Sequence, residues 1–515
     1  MKTAQLRRIA TAGACVTLLM SSACTTLGPD YEEPEVAWLN DWQSDLYGQI
    51  GAPEKQAEVD LSFWWRLFDD PVLNDLIETA RRENPTLRIA GLRILESRAV
   101  LGIASSNRYP QLQQLSGAAT RADRELKGGQ AADRNQSYTA YQASFDVGWE
   151  LDFWGRFRRG IESAEAGFFA SITNQRDVQV LLSAQVADLY FAYRTTLLRI
   201  AIARENVVIQ KRSLEITERI FEAGEGAELD VQQAKTQYLA TLSTIPDLEA
   251  TLIQIRNALG AVLGRAPGDV PELASVSGQL PTIEQVVIQG LPARLLLRRP
   301  DLRTAAWQIA AQSAQIGIAE ADYYPAITLL GSIGWSSDTL GPNPDIHSVA
   351  GGPALTWNVF DYGRIRNNVR LQDARLQLSI EAFQDSVLQA AREIDDAAIR
   401  VIKTGEQQGI LSDALRAAER SLELANTLYQ EGFADFQRVL DAQQALFVQA
   451  ERQLVNQGDH VRAVVELYRA IGGGWLDMPV EQLVPESVRE TMRTRTKWGD
   501  LLTAPLPVPP GAEGP

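Results

Sequence analysis

The sequence predicts a mixed α and β fold in which one unit, ordered helix, two strands, long helix and helix, occurs twice. Three observations predict this fold. Blocks of sequence recur in the same order, apolar and polar residues alternate over unusually long strand segments, and apolar residues recur every three or four positions over very long helical segments. A chain of 515 residues is long enough for one large repeated domain.

The composition excludes several classes of protein. The chain has 49 Lys and Arg against 65 Asp and Glu, a net charge of −16, which argues against a nucleic-acid partner. Two cysteines cannot form a disulfide framework, and two histidines leave few ligands for a zinc or iron site or a histidine-based triad. No nucleophile and base stand out as a pair. We therefore expect no enzyme and no metal or organic cofactor.

The N-terminus, residues 1–23, is predicted to be an export signal peptide. Basic residues precede the apolar segment 9–20, and a small residue stands directly before Cys24. This arrangement is typical of lipoprotein processing, in which the thiol of Cys24 receives a covalent lipid. An ordinary secretory cleavage with an incidental Cys24 is the alternative. Thr25 follows the cysteine in place of aspartate, which favours sorting to the outer membrane.

The mature chain divides by its repeated blocks. Tyr109-Pro110 recurs as Tyr324-Pro325, and the segment 149–158 recurs as 357–366. Three further blocks, 84–88, 224–231 and 257–264, recur in the same order as 299–303, 432–439 and 467–472, which indicates an internal repeat. The predicted segments are a lipidated N-terminal arm with an equatorial segment (24–84), the first repeat (85–265), an equatorial linker (266–299), the second repeat (300–474), and a C-terminal equatorial segment with a mobile tail (475–515).

Each repeat contains two predicted strands with one apolar and one polar face. Within residues 111–153, apolar and polar residues alternate over a stretch of about 15 residues, whereas strands of soluble proteins usually have about five or six residues. The apolar positions include Tyr141, Phe145, Trp149, Leu151 and Phe153 in the first repeat and Ile327, Ile333, Trp335, Leu355, Trp357 and Val359 in the second. Such strands suit a barrel with lipid outside and water inside. A half-buried soluble sheet is the alternative.

Long helices are predicted after Gly155 and Gly363. Residues 156–221 contain no proline and carry a coiled-coil-like apolar seam, which predicts a rod of about 100 Å at 1.5 Å per residue. Turns at 224–226 and 431–433 lead into second helices, the first of which is interrupted in pattern at Pro246. An ordinary bundle of helical hairpins would show the same pattern.

The strand number sets a condition on assembly. Four strands cannot close a membrane barrel, and open sheet edges do not occur in hydrocarbon because unpaired N–H and C=O groups find no water there. If these strands enter a membrane, several chains must therefore pool them, and closure alone permits two, three or four chains. The sequence has no GxxxxGK[ST] loop, so the chain is not itself a nucleotide-driven motor.

Over residues 24–480 this layout resembles the outer-membrane factor family of TolC-like and OprM-like ducts. The similarity is carried by Cys24 with 28–31 (GPDY), the paired Tyr-Pro motifs, 357–364, and 432–442 (GFADFQRVLDA). It implies a homotrimer: a 12-stranded β-barrel in the outer membrane of a Gram-negative bacterium, continued by a 12-helix periplasmic α-barrel. The implied function is passive exit of drugs or toxic small molecules, with outer-membrane lipid, a periplasmic adaptor and an inner-membrane resistance-nodulation-division pump as partners.

The resemblance also implies an aperture just after the second glycine turn. Asp441 matches the family's aperture aspartate, Gln437 a neighbouring constriction position, and Asp230 the related position of the first repeat. A ring of carboxylates at a narrow neck attracts cations and repels anions. Arg438 departs from members with a second acidic residue, and its pairing with Asp441 or with a neighbouring hairpin stays open. The alternative for both aspartates is a solvated helix face.

Two other functions stay open. The same family also supplies exits for type I protein secretion and for metal-ion efflux, and one sequence does not reveal the substrate. A periplasmic coiled-coil scaffold lipoprotein without a pore is a third interpretation from another class, and the long alternating strands argue against it.

Overall fold

A computed structural model describes residues 26–40, 47, 61–126, 134–276, 278–283, 296–340 and 346–508. The predicted signal peptide, Cys24 and the last residues of the predicted tail lie outside these ranges. The chain forms two compact units. We call the first the strand unit (the described residues of 1–34, 96–170 and 305–382) and the second the hairpin unit (those of 35–95, 171–304 and 383–515). Each unit takes residues from both predicted repeats.

The repeated order of elements is present, as the predicted fold class requires. After α1 (Pro71–Glu83), the first copy comprises α2 (Pro85–Ser106), β1 (Leu112–Leu126), β2 (Arg134–Glu150), α3 (Arg156–Glu222) and α4 (Glu228–Val262). The second copy comprises α5 (Pro300–Ala321), β3 (Ala326–Ser337), β4 (Ile346–Thr356), α6 (Arg364–Gln430) and α7 (Phe436–Ala470), followed by α8 (Val480–Leu483) and α9 (Glu486–Arg495). Corresponding helices have equal lengths of 22, 67 and 35 residues.

An aspartate just before each long helix accepts hydrogen bonds from backbone N–H groups at the start of that helix. Asp152 accepts hydrogen bonds from the backbone N–H groups of Phe157 and Arg158, both at 2.9 Å. In the second copy Asp361 accepts from the N–H groups of Gly363 and Ile365. These bonds, the Ile365 bond above all, lower the pKa of the Asp361 carboxyl. The charged caps satisfy N–H groups that have no partner inside the helix.

The strand unit contains one antiparallel sheet in the order β1-β2-β3-β4. Its cross-strand rows alternate in character. One row is Leu115, Phe145, Ile333 and Val349, and the next is Ser116, Ser144, Gly334 and Ser348. The four apolar side chains of the first row are all exposed. Among the described residues, β1 and β4 each pair on one side only, so the sheet has two open edges and an uncovered apolar face.

Two strands end earlier than predicted. The alternation predicted continuation to Phe153 and Val359, but β2 ends at Glu150 and β4 at Thr356. The end of β2 is not set by β3, since Glu150 pairs with Thr328 and the N–H of Leu151 still donates to the carbonyl of Ile327 at 2.9 Å. For β4 the reason is the length of its partner strand: Thr356 pairs with Ala326, which is the first residue of β3. Beyond Thr356, β4 therefore has no residue of β3 with which to pair. Trp357 instead donates its indole N–H to the carbonyl of Tyr323 at 3.0 Å.

The hairpin unit is held by small apolar clusters between its helices. The cluster near the turns comprises Leu214, Val231, Ala234, Ala425, Phe436, Val439, Leu440 and Ala442.

The helix α4 continues through Pro246, where the apolar pattern of the sequence is interrupted. This proline removes the hydrogen bond that a residue at 246 would donate to the carbonyl of Leu242.

In the described ranges, no helix combines the length and the apolar character that a membrane crossing requires.

Candidate aperture site at the helical turns

The hairpin turns of the two repeats have the same geometry. Gly224 and Gly432 both have φ of +77°. The N–H of Glu225 donates to the carbonyl of Ile220 at 3.1 Å, and the corresponding bond of the second turn has a length of 2.8 Å. A left-handed glycine with this bond pattern is a Schellman-type helix end. A Cβ added at either glycine would meet nothing within 4 Å, so the backbone conformation, and not space, favours glycine.

The second helices begin with different acidic residues. Asp435 caps α7, because its Oδ1 accepts from the backbone N–H of Arg438 at 3.3 Å. The corresponding position of α4, Ala227, makes no side-chain cap, and Glu228 and Asp230 stand in the first turn instead. Carboxylates in the first turn stabilise a helix through its positive N-terminal end. Both hairpins therefore place negative charge beside the turn.

Three of the four predicted aperture residues form pairs within the chain. Gln437 donates its side-chain N–H to Oδ1 of Asp441 at 2.9 Å, and both side chains are exposed. Arg438 lies 3.9 Å from Asp435, measured from Nε to Oδ1, and both side chains are about three quarters exposed (73% and 74%). The arginine pairing with Asp441, one of the two left open by the sequence, is not formed within the chain.

Two neighbouring cavities connect these residues to the first repeat. Asp230 and Gln437 line a cavity of about 500 Å³ together with Tyr429. Gln437 and Asp441 line a second cavity of about 410 Å³. Burial and the nearby charge of Asp230 raise the pKa of Tyr429. The structure thus brings Asp230, Gln437 and Asp441 to one region of the hairpin unit.

The repeat relation adds residues that the sequence analysis missed. The 208-residue offset between the turns places Arg438 at the position of Asp230, and Asp441 at the position of Gln233. Gln233 lines both cavities, and Gln237 donates to the carbonyl of Leu440 at 3.3 Å, which links α4 to α7. The offset was available from the sequence and could have identified Gln233. Cys24 lies outside the described residues, and its lipidation stays a prediction.

Comparisons with known proteins agree with this architecture. The family model described as Outer membrane efflux protein matches residues 76–265 and 291–473. The solvent efflux pump outer membrane protein SrpC of Pseudomonas putida is 31% identical over 469 residues, covering 89% of this chain and 97% of the relative. The cation efflux system protein CusC of Escherichia coli O6:H1 is 30% identical over 472 residues, covering 90% and 98%.

Solved structures give the same result. The outer-membrane channel OprN has a TM-score of 0.80 at 31% identity, over 87% of this chain and 99% of that one. The predicted resemblance, the predicted fold class and the predicted location in the outer membrane are confirmed by these relatives. Because the family model spans most of both repeats and the fold is that of an outer-membrane channel, this chain belongs to the outer membrane efflux protein family.

Proposed function

We propose that three copies of this chain form the passive exit duct of a tripartite efflux pump. The observation that supports this proposal is the sheet, which has two open edges and an exposed apolar row. In hydrocarbon such edges require strand partners, and three copies of the four-stranded sheet give a closed set of 12 strands. The long helices of the three copies would continue this barrel as the periplasmic α-barrel.

The energy for transport would come from elsewhere in the pump. We expect a periplasmic adaptor and an inner-membrane resistance-nodulation-division pump as partners, which matches the naming of SrpC as part of a solvent efflux pump. Drugs and toxic apolar molecules are the proposed substrates. Metal cations are the second candidate, favoured by the similarity to a cation efflux protein and by the carboxylate at Asp441.

The aperture residues would act as rings in a trimer. At the level of Asp230 and Arg438, three carboxylates would alternate with three guanidinium groups, each of which also lies beside Asp435 of its own chain. At the level of Gln233 and Asp441, three carboxylates alternate with three neutral amides. The second ring has no positive charge in it, so it would keep a net negative charge and attract cations in a narrow, poorly hydrated neck.

The lipid anchor is proposed separately. Mass spectrometry of the mature protein should find a lipid on Cys24 and no residue before it, whereas Cys24→Ser should lack the lipid and still form trimers. An unmodified cysteine, or a chain that starts elsewhere, would exclude the anchor without affecting the duct.

The first test of the duct is the mass of the purified mature protein in detergent together with its conductance in a planar bilayer. We expect a trimer that gives small, cation-selective conductance steps. A monomer without conductance would overturn the duct and favour the scaffold interpretation.

A further inference from the structure

A second cavity in the hairpin unit has a different chemistry from the aperture. It has a volume of about 700 Å³ and lies between the 3₁₀ helix Leu61–Phe68, α1 and the segment 476–485. Small-molecule sites in proteins have volumes of about 300–1,000 Å³. Its lining combines aromatic, cationic and apolar groups, among them Phe63, Trp65, Arg66, Arg81, Met478 and Pro485. None of the proposed aperture residues lines this cavity.

Among the described residues, the groups that hold Arg81 at the wall of this cavity are neutral. Its Nη2 donates to the carbonyls of Gly474 at 2.7 Å and Ser62 at 3.3 Å. Its guanidinium carbon lies 4.5 Å from the centroid of the Trp65 ring. Its Nε is buried and has no hydrogen-bond partner in the part of the chain that the structure describes. Buried guanidinium groups normally pair with a carboxylate, and in the described part of the chain Arg81 has none.

Arg66 adds a second positive charge at the same place. Its guanidinium carbon lies 4.3 Å from the centroid of Phe63, a ring that Arg81 also approaches at 5.6 Å. Burial, and then repulsion by Arg66, lower the pKa of Arg81 to about 10. Glu78 and Glu481 also line the cavity, but within the described ranges neither forms an ion pair with these arginines. Within the described ranges, neither arginine therefore has a carboxylate as its partner.

The rest of the lining limits what the counter-ion can be. Leu476, Met478 and Pro485 supply apolar surface, and the buried Oδ1 of Asn74 is another polar atom for which the described residues offer no hydrogen-bond partner. An inorganic anion would satisfy the arginines but would leave the apolar surface wet. We propose that this cavity binds a small organic anion, a carboxylate on an apolar body, whose oxygens pair with Arg66 and Arg81. The site is independent of the duct.

The test is a calorimetric titration of the full mature protein in lipid nanodiscs with 4-phenylbutyrate. Two further probes separate the parts of the ligand: 4-phenylbutan-1-ol has the apolar body without the charge, and inorganic phosphate has the charge without the body. The variant is Arg66→Ala, because Arg66 is exposed and makes no hydrogen bond to another described residue, whereas Arg81 also bonds to Ser62 and Gly474. Arg495→Ala, an exposed arginine outside the cavity, is the matched control.

We expect saturable binding of 4-phenylbutyrate, much weaker binding of the alcohol and of phosphate, and about a tenfold loss of affinity in Arg66→Ala, the effect of one charge-assisted hydrogen bond. Arg495→Ala should bind as the unaltered protein does. Absence of saturable binding, equal binding of the alcohol, equal binding of phosphate, or an unchanged affinity in Arg66→Ala would each overturn the proposal.

Discussion

At the scale of single residues, Asp441 carries the proposed charge of the aperture. Asp441→Ala should raise the single-channel conductance and weaken block by multivalent cations, because it removes both bulk and charge from the ring. Asp441→Asn keeps the size of the side chain and its contact with Gln437, which lies 2.9 Å away. It should therefore weaken the block as strongly but raise the conductance less. Unchanged block in both variants would remove Asp441 from the aperture.

Asp177 in α3 is a second residue with a defined electrostatic role. Burial, followed by the charge of Asp301, raises its pKa from 3.8 to about 6, although Arg299 opposes the shift. Between about pH 4 and pH 6, Asp177 therefore keeps its proton in the folded protein, whereas the unfolded chain has already released it. The stabilisation from this proton is complete below about pH 4 and is lost as the pH rises through about 6.

Asp177→Asn should remove the loss of stability that Asp177 causes as the pH rises. At pH 7.5 we expect the variant to be more stable than the unaltered protein by about 1–2 kcal/mol, after allowance for partial solvent screening, and at pH 4 the difference should vanish. Thermal unfolding followed by circular dichroism at both pH values measures it. Asp385→Asn, on an exposed part of α6, is the control. Equal melting temperatures at pH 7.5 would contradict the prediction.

The sequence could identify the residues of the candidate site only where they match the other repeat or a motif of the family. Gly432 and Asp441 follow from such matches. The Arg438–Asp435 contact depends on rotamers, and the Arg66–Arg81 cavity joins segments about 400 positions apart in the chain, so no local pattern indicates it.

At the scale of elements, a substitution at the glycine turns tests backbone conformation alone, because an added Cβ would contact no other atom there. Gly432→Ala should cost about 1–2 kcal/mol because φ is +77° at a position where a Cβ has free space. Gly409→Ala, inside α6 and also with free space, should be neutral or slightly stabilising. Hydrogen exchange should then be faster at residues 431–435 only in the first variant. Similar exchange in both variants would show that the turn tolerates alanine.

Element types could be predicted, and element ends only in part. The start of α3 at Arg156 follows from Gly155 and the change of period, which are local signals. The end of β4 at Thr356 is set by the first residue of β3, a distant partner that alternation does not reveal.

At the scale of the whole molecule, the two faces of the sheet should respond differently to charge. Val349 belongs to the exposed apolar row, whereas its neighbour Ala350 pairs with Ser332 in a polar row. Val349→Lys would place an ammonium group in lipid, at a cost of about 2–4 kcal/mol near the bilayer centre. We expect loss of heat-resistant trimers from the outer-membrane fraction, while Ala350→Lys should assemble normally. Equal assembly of the two variants would contradict a lipid-facing row.

The proline in α4 has a mechanical consequence. The two return helices α4 and α7 have 35 residues each, but Pro246 has Leu454 as its counterpart at the repeat offset. The hydrogen-bonded ladder of α4 is thus interrupted near its middle, and that of α7 is not. Two rods of equal length therefore differ in bending stiffness, and a load applied at both turns would bend α4 first. Sequence symmetry between the repeats does not extend to their compliance.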